Sequence, residues 1–306
     1  MKAVRFDEYG GVDVLDVREV DDPQPEPGRV VVRVRATGLN PGEIPIREGA
    51  FHERAPATFP SGEGTDLAGE VAAVADGDSG FAVGDAVLGW TDERAAHAEL
   101  VSVPAEQLVA KPEELRWEVA GALFVVSLAA LASVRAVAPN AGETVVVSAA
   151  AGGVGSVAIQ LARRTGATVI GLAGEDNHEW LRAHDILPVA YGEGQADRIR
   201  EASNGSVDAF IDTFGGGYVD LALELGVAPE RVDTIIDFEA AGRHEGVQTK
   251  GTYAIASAEP LSEMAALVAA GEVEVPIART YPLDQVREAY TELAKRHTRG
   301  KIVLVP

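Results

Sequence analysis

The run from Thr144 to Ala162 contains the residues of this chain whose types and spacing most plainly do chemistry. Val145, Val146 and Val147 read as a buried strand, Ala151, Gly152, Gly153, Val154 and Gly155 as a tight turn, and the residues from Ser156 onward as a helix with an apolar period. Glycine lets main chain turn sharply and approach a ligand closely. A helix start that follows such a turn presents N–H groups and a partial positive charge, which suits a diphosphate. The reading requires main-chain amides between Ala149 and Ser156 to be left unpaired by the fold. A second group lies at Asp212-Thr213-Phe214-Gly215-Gly216, which ends an apolar strand in a glycine pair, and Asp237-Phe238 reads as the end of the next one. Strand ends of this kind gather at the carboxyl edge of a parallel sheet, where ligands bind. No acid–base dyad is evident: His52, His97, His184, His244 and His297 are scattered without metal or triad spacing and read as surface or satisfied residues.

The elements that must position these groups fall into two kinds. From Met1 to about residue 120 the chain alternates short strands with turns. Along Arg29 to Ala36, Val30, Val32 and Val34 share one face while Arg33 and Arg35 share the other, the pattern of a half-exposed strand. The segment from Pro23 to Gly28 excludes helix and central strand. Between Thr144 and Ser257 strands and helices alternate, which implies parallel pairing through crossovers. Six strands are expected, at Thr144–Ser148, Thr168–Leu172, Pro188–Ala190, Asp208–Thr213, Val232–Phe238 and Thr252–Ala256. Helices are expected at Ser156–Thr165, Glu179–Ala183, Ala196–Ala202, Val219–Leu225 and Leu261–Ala269. An amphipathic helix from Leu283 to Ala294 and a closing strand from Gly300 to Val305 complete an α/β chain.

At 306 residues two domains are the default, and 46% hydrophobic with 24% charged residues is a globular composition. The absence of cysteine removes disulfides, thiolate nucleophiles and cysteine-ligated zinc from the possibilities. A net charge of −22, from 48 acidic and 26 basic residues, opposes nucleic acid and anionic lipid. With no signal-like start and no apolar run of membrane-spanning length, a cytoplasmic protein is expected.

The Ala149–Gly155 run, together with Ala36–Pro41, Gly64–Val71, Val83–Gly89 and Arg299–Leu304, resembles the medium-chain dehydrogenase/reductase superfamily in its quinone oxidoreductase branch. That resemblance implies a GroES-like β domain (residues 1–122 and 271–306) around a doubly wound Rossmann domain (residues 123–270), substrate in the cleft between them, and a homodimer formed through edge strands. It implies that Thr213 and Phe214 wall the nicotinamide ribose, that Phe238 contributes similarly or simply packs, and that Asn40 borders nicotinamide and substrate. Asn40 also reads as an Asx turn opening Pro41-Gly42. Arg47 and Thr65 align with neighbouring family positions, although Arg47 can equally pair with Glu43 or Glu48. Where many relatives carry a threonine near the cofactor this chain has Ala129, so that contact is lost or moved to Ser127.

Zinc-dependent members of the superfamily place a cysteine near Thr37–Asn40 and Gly-His-Glu where this chain has Gly64-Thr65-Asp66. No zinc is therefore expected. Hydride transfer without a Lewis acid favours acceptors that are already electrophilic, a quinone or an activated enone. Enoyl or alkenal reduction is an alternative, as is a non-catalytic NADPH-binding protein. An NAD site carries an acidic residue at the end of the second strand. Here Ala173-Gly174 stands in its place, which opens room for the 2′-phosphate of NADP, and the resemblance maps the phosphate contacts to His178 and Tyr191. Glu175 and Asp176 sit beside His178 and can instead reach a ribose hydroxyl, and His178 also reads as a solvated helix-start residue.

Overall fold

The computed structural model describes residues 1–53, 56–75 and 80–306. The chain divides into two compact units: residues 1–125, 257–272 and 276–306, and residues 126–256 with 273–275. The helix Ala258–Ala269, expected with the nucleotide domain, groups instead with the first unit, where it lies against the strand Leu108–Ala110.

In the first unit, β1 (Lys2–Arg5) and β2 (Asp16–Glu19) form an antiparallel pair. The main sheet is built from β3 (Arg29–Gly38), β4 (Asp66–Val74), β5 (Ala86–Trp90), β6 (Leu100–Pro104) and β7 (Leu108–Ala110). The alternation read along β3 holds, with Val30, Val32 and Val34 buried and Arg33 and Arg35 exposed. The valines pack on Leu67, Val71, Val87 and Val103, which fixes the register, since a one-residue slip would turn every one of them to solvent.

The second unit carries β8 (Thr144–Val147), β9 (Thr168–Ala173), β10 (Leu187–Ala190), β11 (Ala209–Asp212) and β12 (Val232–Thr234). They form one parallel sheet in the order β10-β9-β8-β11-β12, so the order reverses between β8 and β11. Val146, Ile170, Phe210 and Val232 fill its core with Ile199 and Leu221 from the flanking helices. The sheet has five strands, not the expected six. Thr252–Ala254 is a 3₁₀ turn with Tyr253 exposed, too short and too lopsided in burial for a strand. The outer edge of β12 is met by Gln248, which exchanges main-chain bonds with Val232 and Thr234, so edge pairing with a second copy there would have to displace it. The strand expected to reach Phe238 stops at Thr234. There the Thr234 hydroxyl accepts from the Asp237 amide, and Asp237 Oδ1 accepts from Ala240 N at 3.0 Å, capping a helix Phe238–Arg243.

The chain returns to the first unit as β13 (Ile277–Pro282) and β14 (Lys301–Val305), which extend its sheet through β3. The helix Val286–Leu293 packs Val286, Ala289, Tyr290 and Leu293 on Ile302 and Leu304. Helix Leu123–Val137 had no amphipathic signature because it is apolar on nearly every face and buried along most of its length. Among the described residues no helix is long and apolar enough to cross a membrane.

Candidate functional site

All five parallel strands of the second unit end on one edge, and the loops at that edge carry the residues singled out in the sequence. After β8 the chain turns through Ala149, which adopts a positive φ of 44°, and enters the helix Gly153–Arg164 from Gly152. A Cβ at Gly155 would stand 2.2 Å from the Ala149 carbonyl oxygen, so only glycine lets the helix start this close to the strand. The amides are not all open: Ala150 N donates to Leu172 O, Gly152 N to Ala149 O and Ser156 N to Gly152 O. This narrows the expected donor set to Ala149, Ala151 and, at the helix start, Gly153, Val154 and Gly155. The last three begin the helix, lack intrahelical acceptors by its geometry, and receive no side-chain cap. Three convergent N–H groups at the positive end of a helix fit the diphosphate of a nicotinamide dinucleotide.

At the reversal point a buried knot fixes the neighbouring loop. Asp212 Oδ1 accepts from Ser148 Oγ at 2.7 Å, Phe214 N at 3.0 Å and Gly215 N at 2.9 Å, while Oδ2 accepts from Thr234 Oγ1 at 2.8 Å. Thr213 Oγ1 donates to Ser148 O at 2.7 Å, so its hydroxyl hydrogen is committed to the interior and only its oxygen lone pairs remain for a ligand. Gly215, Gly216 and Gly217 then take positive φ in succession, a path closed to ordinary residues. Phe214 stands edge-on to Tyr218. Phe238 is not a strand end but the exposed first residue of its helix. Ser127 is buried on helix Leu123–Val137, and its hydroxyl has no hydrogen-bond partner among the described residues.

At the end of β9 the structure brings Gly174 and Tyr191 together, since a Cβ on Gly174 would lie 3.6 Å from the Tyr191 hydroxyl. His178 Nε2 lies 3.2 Å from Ala173 O. A carbonyl only accepts, so Nε2 carries the hydrogen and Nδ1 is the atom left for a ligand. Glu175 and Asp176 are exposed in the turn between them. The sequence reading missed Arg198, whose guanidinium wraps the turn after β10 by donating to Ala190 O at 2.8 Å and Glu193 O at 2.8 Å. A basic residue one turn into the helix that follows Tyr191 was the available signal.

The first unit holds a different construction, a cluster of buried ionisable groups around Asn40. Asn40 Nδ2 donates to Glu43 Oε1 at 3.2 Å and Asp66 Oδ2 at 3.3 Å, and its Oδ1 accepts from Lys301 Nζ at 2.5 Å. Both of its amide hydrogens and one lone pair of Oδ1 are thereby engaged within the protein. Lys301 also donates to Leu39 O at 2.8 Å and Asp66 Oδ2 at 3.1 Å, using all three ammonium hydrogens. Burial raises the Asp66 carboxyl and Lys301 pulls it back. Arg47 pairs with neither Glu43 nor Glu48 but with Glu63 at 2.6 Å, both side chains being 2% exposed. Burial, and then the Glu43 carboxylate, push Glu63 up to about 8 against the pull of Arg47.

His97, read as a surface or satisfied residue, is fully buried inside this cluster with both ring nitrogens partnered. Its Nδ1 lies 2.9 Å from Thr37 Oγ1 and its Nε2 3.0 Å from the Tyr290 hydroxyl, which is 2.7 Å from Glu43 Oε2. Burial, Lys301 and Arg47 hold the imidazole down at about 3. Gly64, at φ +94°, leaves room for the ring, since a Cβ there would meet Nδ1 at 2.2 Å. Among the described residues no three His, Asp or Glu side chains are grouped to hold a metal ion.

Residues 26–113 match the alcohol dehydrogenase GroES-like domain family, and residues 181–304 match a family described as zinc-binding dehydrogenase. A quinone oxidoreductase of Pseudomonas aeruginosa is 33% identical over an alignment covering 100% of this chain and 99% of that protein. The chain belongs to the quinone oxidoreductase branch of the medium-chain dehydrogenase/reductase superfamily. Solved structures agree: the quinone oxidoreductase of Coxiella burnetii superposes with a TM-score of 0.87 at 28% identity, covering 100% of this chain and 99% of that one. That of Pseudomonas syringae gives 0.86 at 29% identity, covering 100% and 99%. The protein is accordingly an NAD(P)-dependent oxidoreductase acting on a small molecule, and its two architectures are the GroES-like and Rossmann-like parts of that fold.

Within this family frame the structure sorts the predicted residues into two sets. Ala151 to Gly155, Gly174, His178, Tyr191, Thr213 and Phe214 lie on the loops at the carboxyl edge of one sheet, with Phe238 just past the end of its last strand. Asn40 belongs to the buried cluster of the other unit.

Proposed function

We propose that the protein is a zinc-independent, NADPH-dependent reductase that delivers hydride to a quinone or an activated enone. The observation that carries this reading is the set of amides at Gly153, Val154 and Gly155, open at the point where strand order reverses. When bound there, a reduced nicotinamide nucleotide supplies the hydride, and the chain's own contribution is to grip the diphosphate and orient the ring. NADPH is favoured over NADH because Gly174 stands where an NAD site has its carboxylate, which leaves room for a 2′-phosphate at that strand end. His178, Tyr191 and the cationic Arg198 border the same corner. Zinc independence is supported by side-chain identity: the segment Thr37–Asn40 and Gly64-Thr65-Asp66 stand where zinc-dependent relatives carry a cysteine and Gly-His-Glu, and the chain has no cysteine.

The test is consumption of NADPH, followed by its near-ultraviolet absorbance, with a panel of quinones and α,β-unsaturated carbonyls, repeated with NADH and after dialysis against a zinc chelator. Turnover with NADPH at least tenfold better in kcat/KM than with NADH, and unchanged by the chelator, is expected. A thermal shift with NADPH but no consumption with any acceptor would make the protein a binder rather than a reductase. Preference for enones over quinones would move it to alkenal reduction.

A further inference from the structure

The turn that follows β10 carries Tyr191 and is held in shape by one side chain. Arg198, one turn into the helix Gln195–Ala202, donates from Nε and Nη2 to Ala190 O at 3.1 and 2.8 Å and from Nη1 to Glu193 O at 2.8 Å, with Nη2 also 3.4 Å from Gly192 O. The guanidinium therefore grips the main chain on both sides of Tyr191 without bonding to Tyr191 itself. Little else fixes this stretch. β10 is the last strand of its sheet and pairs only with β9, and Gly192 and Gly194 take positive φ of 99° and 73°. Gln195 adds a second tie, its Oε1 accepting from Gly192 N at 3.0 Å and its own N donating to Gly192 O at 2.9 Å.

What this staple holds is a phenol with little of its own to hold it. Tyr191 is 51% exposed, and its hydroxyl has no hydrogen-bond partner among the described residues. It nevertheless stands beside the end of β9, 3.6 Å from where a Gly174 Cβ would lie. The rotamers open to a side chain depend on the φ and ψ of its own residue, so fixing the main chain around Tyr191 limits where the hydroxyl can stand. The pairing of the two neighbouring arginines makes the same point. Arg200 pairs with Asp197 and Glu224, whereas among the described residues Arg198 pairs with no carboxylate, in a chain of 48 acidic residues against 26 basic. Its donors go to carbonyls instead. The planar five-donor fork of arginine can span such a turn, and a lysine ammonium, with three donors at one point, cannot.

We propose that Arg198 is a positioning residue that sets the preference for a 2′-phosphate by holding Tyr191 at the end of β9, where the phenol donates to that phosphate. This rests on the NADPH reading above. Arg198 needs no contact with the ligand: the guanidinium fixes the turn, the turn fixes the phenol, and the phenol supplies the hydrogen. A nucleotide without the 2′-phosphate has nothing for that hydrogen to meet, so its binding does not depend on Arg198.

Calorimetric titration with adenosine 2′,5′-bisphosphate and with adenosine 5′-monophosphate reads the preference without turnover. The wild type should bind the bisphosphate more tightly by about tenfold or more. Tyr191→Phe should lower that ratio about tenfold, the loss of one hydrogen bond to a charged group, and Arg198→Lys and Arg198→Gln by about as much. Tyr191→Phe combined with either Arg198 change should lose no more than Tyr191→Phe alone, because both remove the same bond. Arg200→Lys is the control and should leave the ratio unchanged. An Arg198→Lys protein with the wild-type ratio would make charge sufficient and overturn the proposal. Losses that multiply in the double variant would overturn it too, since Arg198 would then act apart from Tyr191. A purely structural role would weaken both nucleotides equally and leave the ratio in place, which is a third refutation. A wild type that binds the two nucleotides alike fails the NADPH reading and the proposal with it, whereas a wild type with the preference whose Arg198 variants keep it fails the proposal alone.

Discussion

Replacing Gly155 by alanine tests the nucleotide site at its tightest point. The new Cβ would lie 2.2 Å from the Ala149 carbonyl oxygen, 2.8 Å from the Ala149 carbonyl carbon and 3.0 Å from the Ala150 Cα, all main-chain atoms. Ordinary contact needs about 3.4 Å or more, so the helix start has to retreat by roughly 1 Å. Amides bonded to a diphosphate at about 2.9 Å would then stand near 3.9 Å, beyond hydrogen-bond range. Losing two bonds to a charged group, at ~1.5–3 kcal/mol each, weakens binding by ~3 kcal/mol or more. That is at least a 100-fold rise in Kd for NADPH, measurable by titration calorimetry. Gly152→Ala is the internal control. Its Cβ would meet Ala149 O at 3.1 Å and its φ of −73° suits any residue, so the cost should stay within about tenfold. Equal effects of the two substitutions, or a Gly155→Ala protein that binds like wild type, would refute the assignment of these amides to the diphosphate.

Asp212→Ala should destabilise the protein by ~3–5 kcal/mol in denaturant titration, because Ser148, Thr234, Phe214 and Gly215 lose a charged acceptor together. Stability should also depend on pH in two limbs. Neutral His97, at about 3 in the fold against 6.5 unfolded, contributes stability that is lost as pH falls below 6.5. The crowded Glu43–Glu63 pair, with Glu63 pushed from 4.5 to about 8, contributes stability that is lost as pH rises toward 8. The limbs offset one another between 4.5 and 6.5, each having a slope of at most ~1.4 kcal/mol per pH unit. Thermal melts across pH should show Glu63→Gln flattening only the alkaline limb. Gly174→Asp should reverse cofactor preference toward NADH in kcat/KM, its carboxylate repelling a 2′-phosphate.

What the sequence made legible is what obeys local rules. The glycine turn, the period-two face of β3 and the strand–helix alternation are each written within a dozen residues, and they fix the Rossmann-like edge and the loops that carry Gly174, Tyr191 and Thr213. Local rules failed where a side chain overrode them. The Thr234 hydroxyl and the Asp237 cap ended β12 early and turned Phe238 into a helix start. The buried cluster was invisible for a related reason: its bonds join residues far apart, 193 positions between His97 and Tyr290 and 261 between Asn40 and Lys301. No periodicity records such pairs. Asn40 was found through resemblance to a family position, but that resemblance carried no information about where its amide hydrogens go.

The two units therefore divide the chemistry by the kind of group they use. Around the glycine turn the donors are main-chain amides, whose charge is partial and fixed by the helix, so they attract a diphosphate only at contact distance. This matters in a chain of net charge −22, whose long-range field repels the same ligand. Recognition has to be short-ranged and geometric, which is why a single Cβ at Gly155 is a sharper perturbation than the removal of any one surface charge. In the first unit the opposite holds. Five ionisable side chains and a histidine face one another out of water, so moving one proton changes the balance of the whole set.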